Sequence, residues 1–120
     1  MGNVLIVDDS SLIRSVASSA AKEAGHNVIV AGNGQEGLDA MKNNDINIVF
    51  SDVNMPVMGG LEMVRNIKSD PAYKFIPIIM LTTESNPELK TEGKALGVKA
   101  WMLKPFNKQK FFIALKKLLG

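Results

Sequence analysis

Residues 48–67 read IVFSDVNMPVMGGLEMVRNI, and this stretch holds one complete unit of the fold. Ile48–Phe50 is a short apolar run rich in β-branched residues, the pattern of a strand covered on both faces. Asp52 stands just beyond it, and Met55 and Met58 shape the turn that follows. From near Gly60 onward Leu61, Val64 and Ile67 recur at helical spacing, so they face inward from a helix. Strand, acid at the carboxyl end, returning helix: this is a βα unit.

The same unit repeats on either side. Val4–Val7, Val28–Ala31, Ile76–Leu81 and Ala100–Leu103 are further short apolar runs, and each precedes a segment of helical period. In the first such segment Leu12, Ile13, Val16, Ala17, Ala20, Ala21 and Ala24 are expected to share a buried face, with Gly25 as the stop. In the last, Phe111, Phe112, Leu115, Leu118 and Leu119 form the apolar stripe. Asn33-Gly-Gln-Glu36 reads as a capping box, and Asn86-Pro87-Glu88 supplies a cap, a first-turn proline and an acid. Gly93, inside the fourth helix, costs about 1 kcal/mol relative to alanine and predicts a less rigid helix. Five βα units imply right-handed crossovers and an α/β fold with helices on both faces of a parallel sheet.

The chain has 120 residues, room for one domain spanning 1–120 and for no output domain, and no linker or internal repeat divides it. With 46% apolar and 22% charged residues it builds a full core, which excludes disorder. It has no cysteine, so disulfides, thiol nucleophiles and thiolate metal sites are excluded. No apolar run is long enough to span a bilayer, and the start MGNVLIVDD lacks a basic signal-peptide region. Met1-Gly2 suggests myristoylation, but Ile6 stands where that motif takes Ser or Thr. A cytoplasmic, monomeric protein is expected. Residues 86–120 carry eight lysines against Glu88 and Glu92, so this third is +6 while the remainder is −4. Arginine is absent there, which argues against nucleic acid and for solvated lysines or an acidic partner. His26 is expected in a surface turn, and the methionines mainly in the core.

In an open parallel sheet, ligands bind beyond the carboxyl ends of the strands. Asp8 and Asp9 follow the first run, Asp52 the third, Thr82 and Thr83 the fourth, and Lys104-Pro105 the fifth. A single strand-end aspartate is ordinarily a cap. Three acids, a hydroxyl and an ammonium on one rim have no such bland account. Unit charges 4 Å apart repel by about 4 kcal/mol at an effective dielectric near 20, so Asp9 and Asp52 favour a shared cation. With oxygen ligands only, that cation is Mg²⁺. Lys104 supplies a point charge that pairs with Asp52 at rest and with a phosphoryl oxygen later.

These residues resemble the receiver domains of bacterial response regulators: Asp8-Asp9, SDVNMPVMGG with Asp52, LTTE with Thr82, and AWMLKPF with Lys104-Pro105, in order along the whole chain. The resemblance implies a flavodoxin-like, five-stranded sheet in the order 2-1-3-4-5. It implies Asp52 as phosphoacceptor, and Mg²⁺ held by Asp9, Asp52 and the Asn54 backbone carbonyl, with Asp8 acting through water. It further implies Thr82 and Trp101 as the switch pair, Lys104 as the phosphate contact, and a cis bond before Pro105. Asn54 and Glu84 occupy positions that set phosphoaspartate lifetime in the family. Within it the chain is most like the chemotaxis CheY group, which ends with the fifth helix as this chain does. The implied partners are a CheA-like sensor histidine kinase, a flagellar motor switch protein and a phosphatase. Gly59 replaces the usual Asp or Asn of the MP-x-M-x-G turn, and Trp101 the usual Tyr or Phe.

Other readings remain. A phosphorelay intermediate or phosphate sink uses the same residues without touching a motor. An aspartyl-nucleophile phosphohydrolase of the haloacid-dehalogenase type needs a second acid two residues after the first, where Asn54 stands; an amide cannot protonate a leaving group. The expectation is therefore a phosphoacceptor and not a turnover enzyme. A nucleotide or flavin binder needs a Gly-rich or hydroxyl-rich first loop, and Asp8-Asp9 repels phosphates. In the switch, a Thr82 bond to the new oxyanion contributes about 1.5–3 kcal/mol. Shifting a two-state equilibrium from 1:99 to 99:1 takes about 5.5 kcal/mol. Lys104, the metal and a selective partner must supply the rest.

Overall fold

The computed structural model describes residues 2–120; Met1, half of the myristoylation reading, lies outside them. Ten elements alternate along the chain: β1 (Asn3–Val7), α1 (Ser11–Glu23), β2 (Asn27–Ala31), α2 (Gly34–Asn43), β3 (Ile48–Ser51), α3 (Gly60–Ser69), β4 (Ile78–Thr82), α4 (Pro87–Leu96), β5 (Ala100–Leu103) and α5 (Lys108–Leu119). The strands form one parallel sheet in the order β2-β1-β3-β4-β5, with Val4 opposite both Val28 and Ile48. The chain thus winds outward in opposite directions from β1, and the crevice between β1 and β3 is where such sheets place ligands.

Two apolar layers sandwich the sheet. The period of two sends Leu5, Val7, Val49, Ile78 and Met80 to one face, where Met63, Val64 and Ile67 of α3 and Met41 of α2 cover them. Val4, Ile6, Ile48, Phe50 and Ile79 point the other way, onto Ala17, Ala20 and Ala21 of α1 and Phe111 and Leu115 of α5. The Phe50 and Phe111 rings meet with centroids 4.5 Å apart in a tilted pair, a geometry aromatic quadrupoles favour. Among the described residues, no helix is long and apolar enough to cross a membrane.

Three helix starts are as expected. The Asn33 side chain accepts from Glu36 N at 2.9 Å, the Asn86 side chain accepts from Glu88 N at 2.8 Å ahead of Pro87, and α3 begins at Gly60. The Glu36 carboxylate reaches back one residue further than a capping box predicts, to Gly32 N at 2.8 Å.

Other expectations are corrected. The buried stripe of α1 is Ala17, Ala20 and Ala21, whereas Leu12 is 69% exposed and Val16 and Ala24 are also exposed. At roughly 100° per residue Leu12 and Val16 lie about 140° and 100° round the helix from Ala17, and Ala24 is the C-cap. β4 begins at Ile78, not Ile76, because Pro77 lacks an N–H for the ladder and Ile76 N closes a turn onto Tyr73 O. The edge strands are not covered on both faces: Val30 of β2 and Leu103 of β5 are exposed. His26 is half-buried, and its Nδ1 accepts from Gly2 N at 3.0 Å. Gly93 has in addition a packing role that the sequence did not show, since a Cβ there would lie 3.0 Å from Trp101 Cζ3.

Candidate functional site

The carboxyl ends of β1, β3, β4 and β5 meet at one rim. Asp8 continues the β1 ladder, its N–H bonding Ala31 O at 3.0 Å, which fixes its side chain in the crevice with 2% exposure. One carboxylate oxygen accepts Ser10 N at 2.9 Å, and Arg14 Nη1 donates to the Asp8 carbonyl at 2.7 Å. Asp52 is held in the same way from β3: its N–H bonds Val7 O at 2.9 Å, and its Oδ1 accepts Val53 N at 2.7 Å. Asp9 is exposed at the rim. The three carboxylates each present an oxygen within 4.8 Å of the others.

Lys104 enters from β5, its N–H bonding Thr82 O at 2.9 Å and its bond to Pro105 cis. Its ammonium lies 2.9 Å from Asp8 Oδ2 and 3.1 Å from Asp52 Oδ2, so one cation bridges two buried carboxylates. Burial alone would lower its pKa, but the hydrogen bonds and charges of Asp8 and Asp52 outweigh that and raise it above the usual 10.5. Sequence reasoning paired Lys104 with Asp52 only; the Asp8 bond and the Arg14 support were not seen.

Two further features position the site. A Cβ on Gly60 would overlap the Asp52 carbonyl oxygen, so only glycine lets α3 start this close beneath the acid. Thr82 is buried, and its Oγ1 accepts Glu84 N at 3.1 Å. Glu84 then links distant parts: its carboxylate accepts Asn54 Nδ2 at 3.4 Å, and its carbonyl accepts the Trp101 indole N–H at 2.8 Å. Trp101 therefore already lies half-buried against the core layer of α3. Reading Asn54 and Glu84 by position alone did not show this bridge.

The donor set fits a small hard cation. It is all oxygen, with no imidazole or thiolate among the clustered groups. Opposite ligands of an octahedral ion at 2.0–2.1 Å stand about 4.2 Å apart, a span these carboxylates cover with minor adjustment. Asp8, Asp9 and Asp52 each offer such an ion a carboxylate oxygen.

Residues 4–116 match the response regulator receiver domain family. The chain is 39% identical over 120 residues to the chemotaxis protein CheY homologue of Campylobacter jejuni (strain 81-176), covering 98% of this chain and 92% of that one. To chemotaxis protein CheY1 of Helicobacter pylori it is 38% identical over 120 residues, covering 98% and 96% respectively. The solved structure of Vibrio cholerae chemotaxis protein CheY4 is similar, with TM-score 0.92, 44% identity and 98% of each chain covered.

Proposed function

The chain belongs to the response regulator receiver family, and on that premise we propose that Asp52 accepts a phosphoryl group from a sensor histidine kinase of the CheA kind. The observation that carries this reading is the lysine-bridged acid cluster: Asp8, Asp9 and Asp52 within 4.8 Å of one another, with Lys104 on two of them. An Asp52 oxygen attacks phosphorus while the bond from phosphorus to the donor's imidazole nitrogen breaks and the ring keeps the electron pair. The product is an acyl phosphate, which water later cleaves. Lys104 is close enough to leave Asp52 for a phosphoryl oxygen while keeping its bond to Asp8. Bound Mg²⁺ supplies charge dispersal over the transferring group.

Thr82 is the switch hydroxyl. Its oxygen accepts from Glu84 N, so its own hydrogen can turn to the new oxyanion and draw the loop after β4 with it. Trp101 follows, being tied to that loop through Glu84 O. The responding surface is formed by α4, β5 and α5 around Trp101; the names of the relatives support a chemotaxis role, and a flagellar motor switch component is the partner proposed for that surface.

Trp101 is the sole tryptophan, so its emission reports the switch directly. Adding Mg²⁺ and beryllofluoride together changes the emission of the parent and leaves Asp52→Asn unchanged. Labelled phosphoryl uptake from a kinase that persists in Asp52→Asn overturns the assignment.

A further inference from the structure

At the opposite end of the sheet from Asp52, the C-terminal ends of α3 and α4 enclose a cleft of about 320 Å³ lined by Lys68, Lys74, Phe75, Leu96, Gly97 and Lys99. No acid lines it. Among the described residues none of the three lysines forms an ion pair. Lys68 instead donates to two backbone carbonyls, Lys74 O at 2.9 Å and Ile76 O at 2.7 Å, which fixes its ammonium in the wall. Burial, and then the charge of Lys99, pull its pKa below the usual lysine value, so this concentration of positive charge is held at a cost. Phe75 is 86% exposed beside it, with Lys74 Nζ 5.4 Å from its ring centroid. A second cleft, lined by Lys90, Lys94 and Trp101 among others, shares Lys99, so the basic surface is continuous.

We propose that the Lys68–Lys74–Lys99 cleft docks an acidic polypeptide segment carrying one bulky apolar residue, whatever the state of Asp52. Carboxylates relieve the lysine repulsion, and Phe75 with Leu96 gives the apolar residue a seat. The volume sits at the low end of the range of about 300–1,000 Å³ seen for ligand sites, which suits a short segment. Nucleic acid fits less well, because the cleft has one exposed ring and no arginine for bidentate phosphate contacts. All lining groups lie at the end of the sheet away from the phosphoacceptor rim, so the docking needs no phosphoryl group on Asp52.

The test uses the whole chain and a fluorescein-labelled synthetic peptide of glutamates around a central leucine, followed by anisotropy at low salt. The parent binds saturably. Lys74→Glu with Lys99→Glu, both exposed, weakens binding by at least about tenfold, a loss of about 1.4 kcal/mol. Phe75→Ser weakens it as well, whereas adding Mg²⁺ and beryllofluoride to the parent leaves it unchanged. Lys22→Glu with Lys42→Glu alters the net charge equally on α1 and α2 and leaves binding intact. Equal weakening by both double reversals, displacement of the peptide by single-stranded DNA, or absence of saturable binding overturns the proposal.

Discussion

Replacing Lys104 by methionine keeps most of the apolar stem and removes the ammonium that bridges Asp8 and Asp52. Asp8 is 2% exposed and the Lys104 side chain 13%, so water is poorly placed to substitute for the lost cation. The two carboxylates, with oxygens within 4.8 Å of each other, then repel by about 3.5 kcal/mol at an effective dielectric near 20. Removing one partner of a buried ion pair costs about 3–5 kcal/mol in other proteins, which agrees. We expect Lys104→Met to lose about 3–4 kcal/mol of unfolding free energy in chelator-containing buffer. At about 4 °C per kcal/mol for a domain of this size, Tm falls by roughly 12–16 °C. Urea unfolding checks the free energy and calorimetry the Tm. Excess Mg²⁺ recovers at least about half of the loss, since binding to the folded state alone stabilises it by mass action. Asp8→Asn in the Lys104→Met background recovers part of it without metal, and the double-mutant cycle isolates that coupling. A loss below about 1 kcal/mol, or a loss that Mg²⁺ does not touch, refutes the argument.

The same lysine sets an alkaline limit. Its pKa is raised, so the stability it contributes is complete below pH 10.5 and is lost as pH climbs through the raised value; the gap between parent and Lys104→Met in urea unfolding stays flat up to that pH and narrows above it. Gly93→Ala places a methyl 3.0 Å from Trp101 Cζ3 while improving helix propensity by about 1 kcal/mol. Stability should therefore change by less than about 1 kcal/mol while Trp101 emission shifts, and an unshifted spectrum counts against the packing role of Gly93. Gly60→Ala, whose methyl would overlap the Asp52 carbonyl, is expected to lose more than about 3 kcal/mol in urea unfolding. Asn33→Ala removes the cap on α2 and should lose about 1 kcal/mol by the same measurement.

The sequence by itself determined the local grammar: five apolar runs alternating with amphipathic segments, the caps at Asn33 and Asn86, and a set of acids, hydroxyl and lysine at the strand ends. These follow from periods of two and near four residues and from capping chemistry, which neighbours along the chain decide. Its reading of α1 failed at Leu12 and Val16 because apolar spacing does not state how wide a stripe the sheet will cover. Tertiary structure alone decided that Lys104 reaches Asp8 as well as Asp52, and that Glu84 joins Asn54 to the indole of Trp101. It also decided that Gly93 yields room to a ring and that Lys68, Lys74 and Lys99 crowd one cleft. Those contacts join residues of different elements and loops, and the folding of helices back onto the sheet β2-β1-β3-β4-β5 brings them within reach.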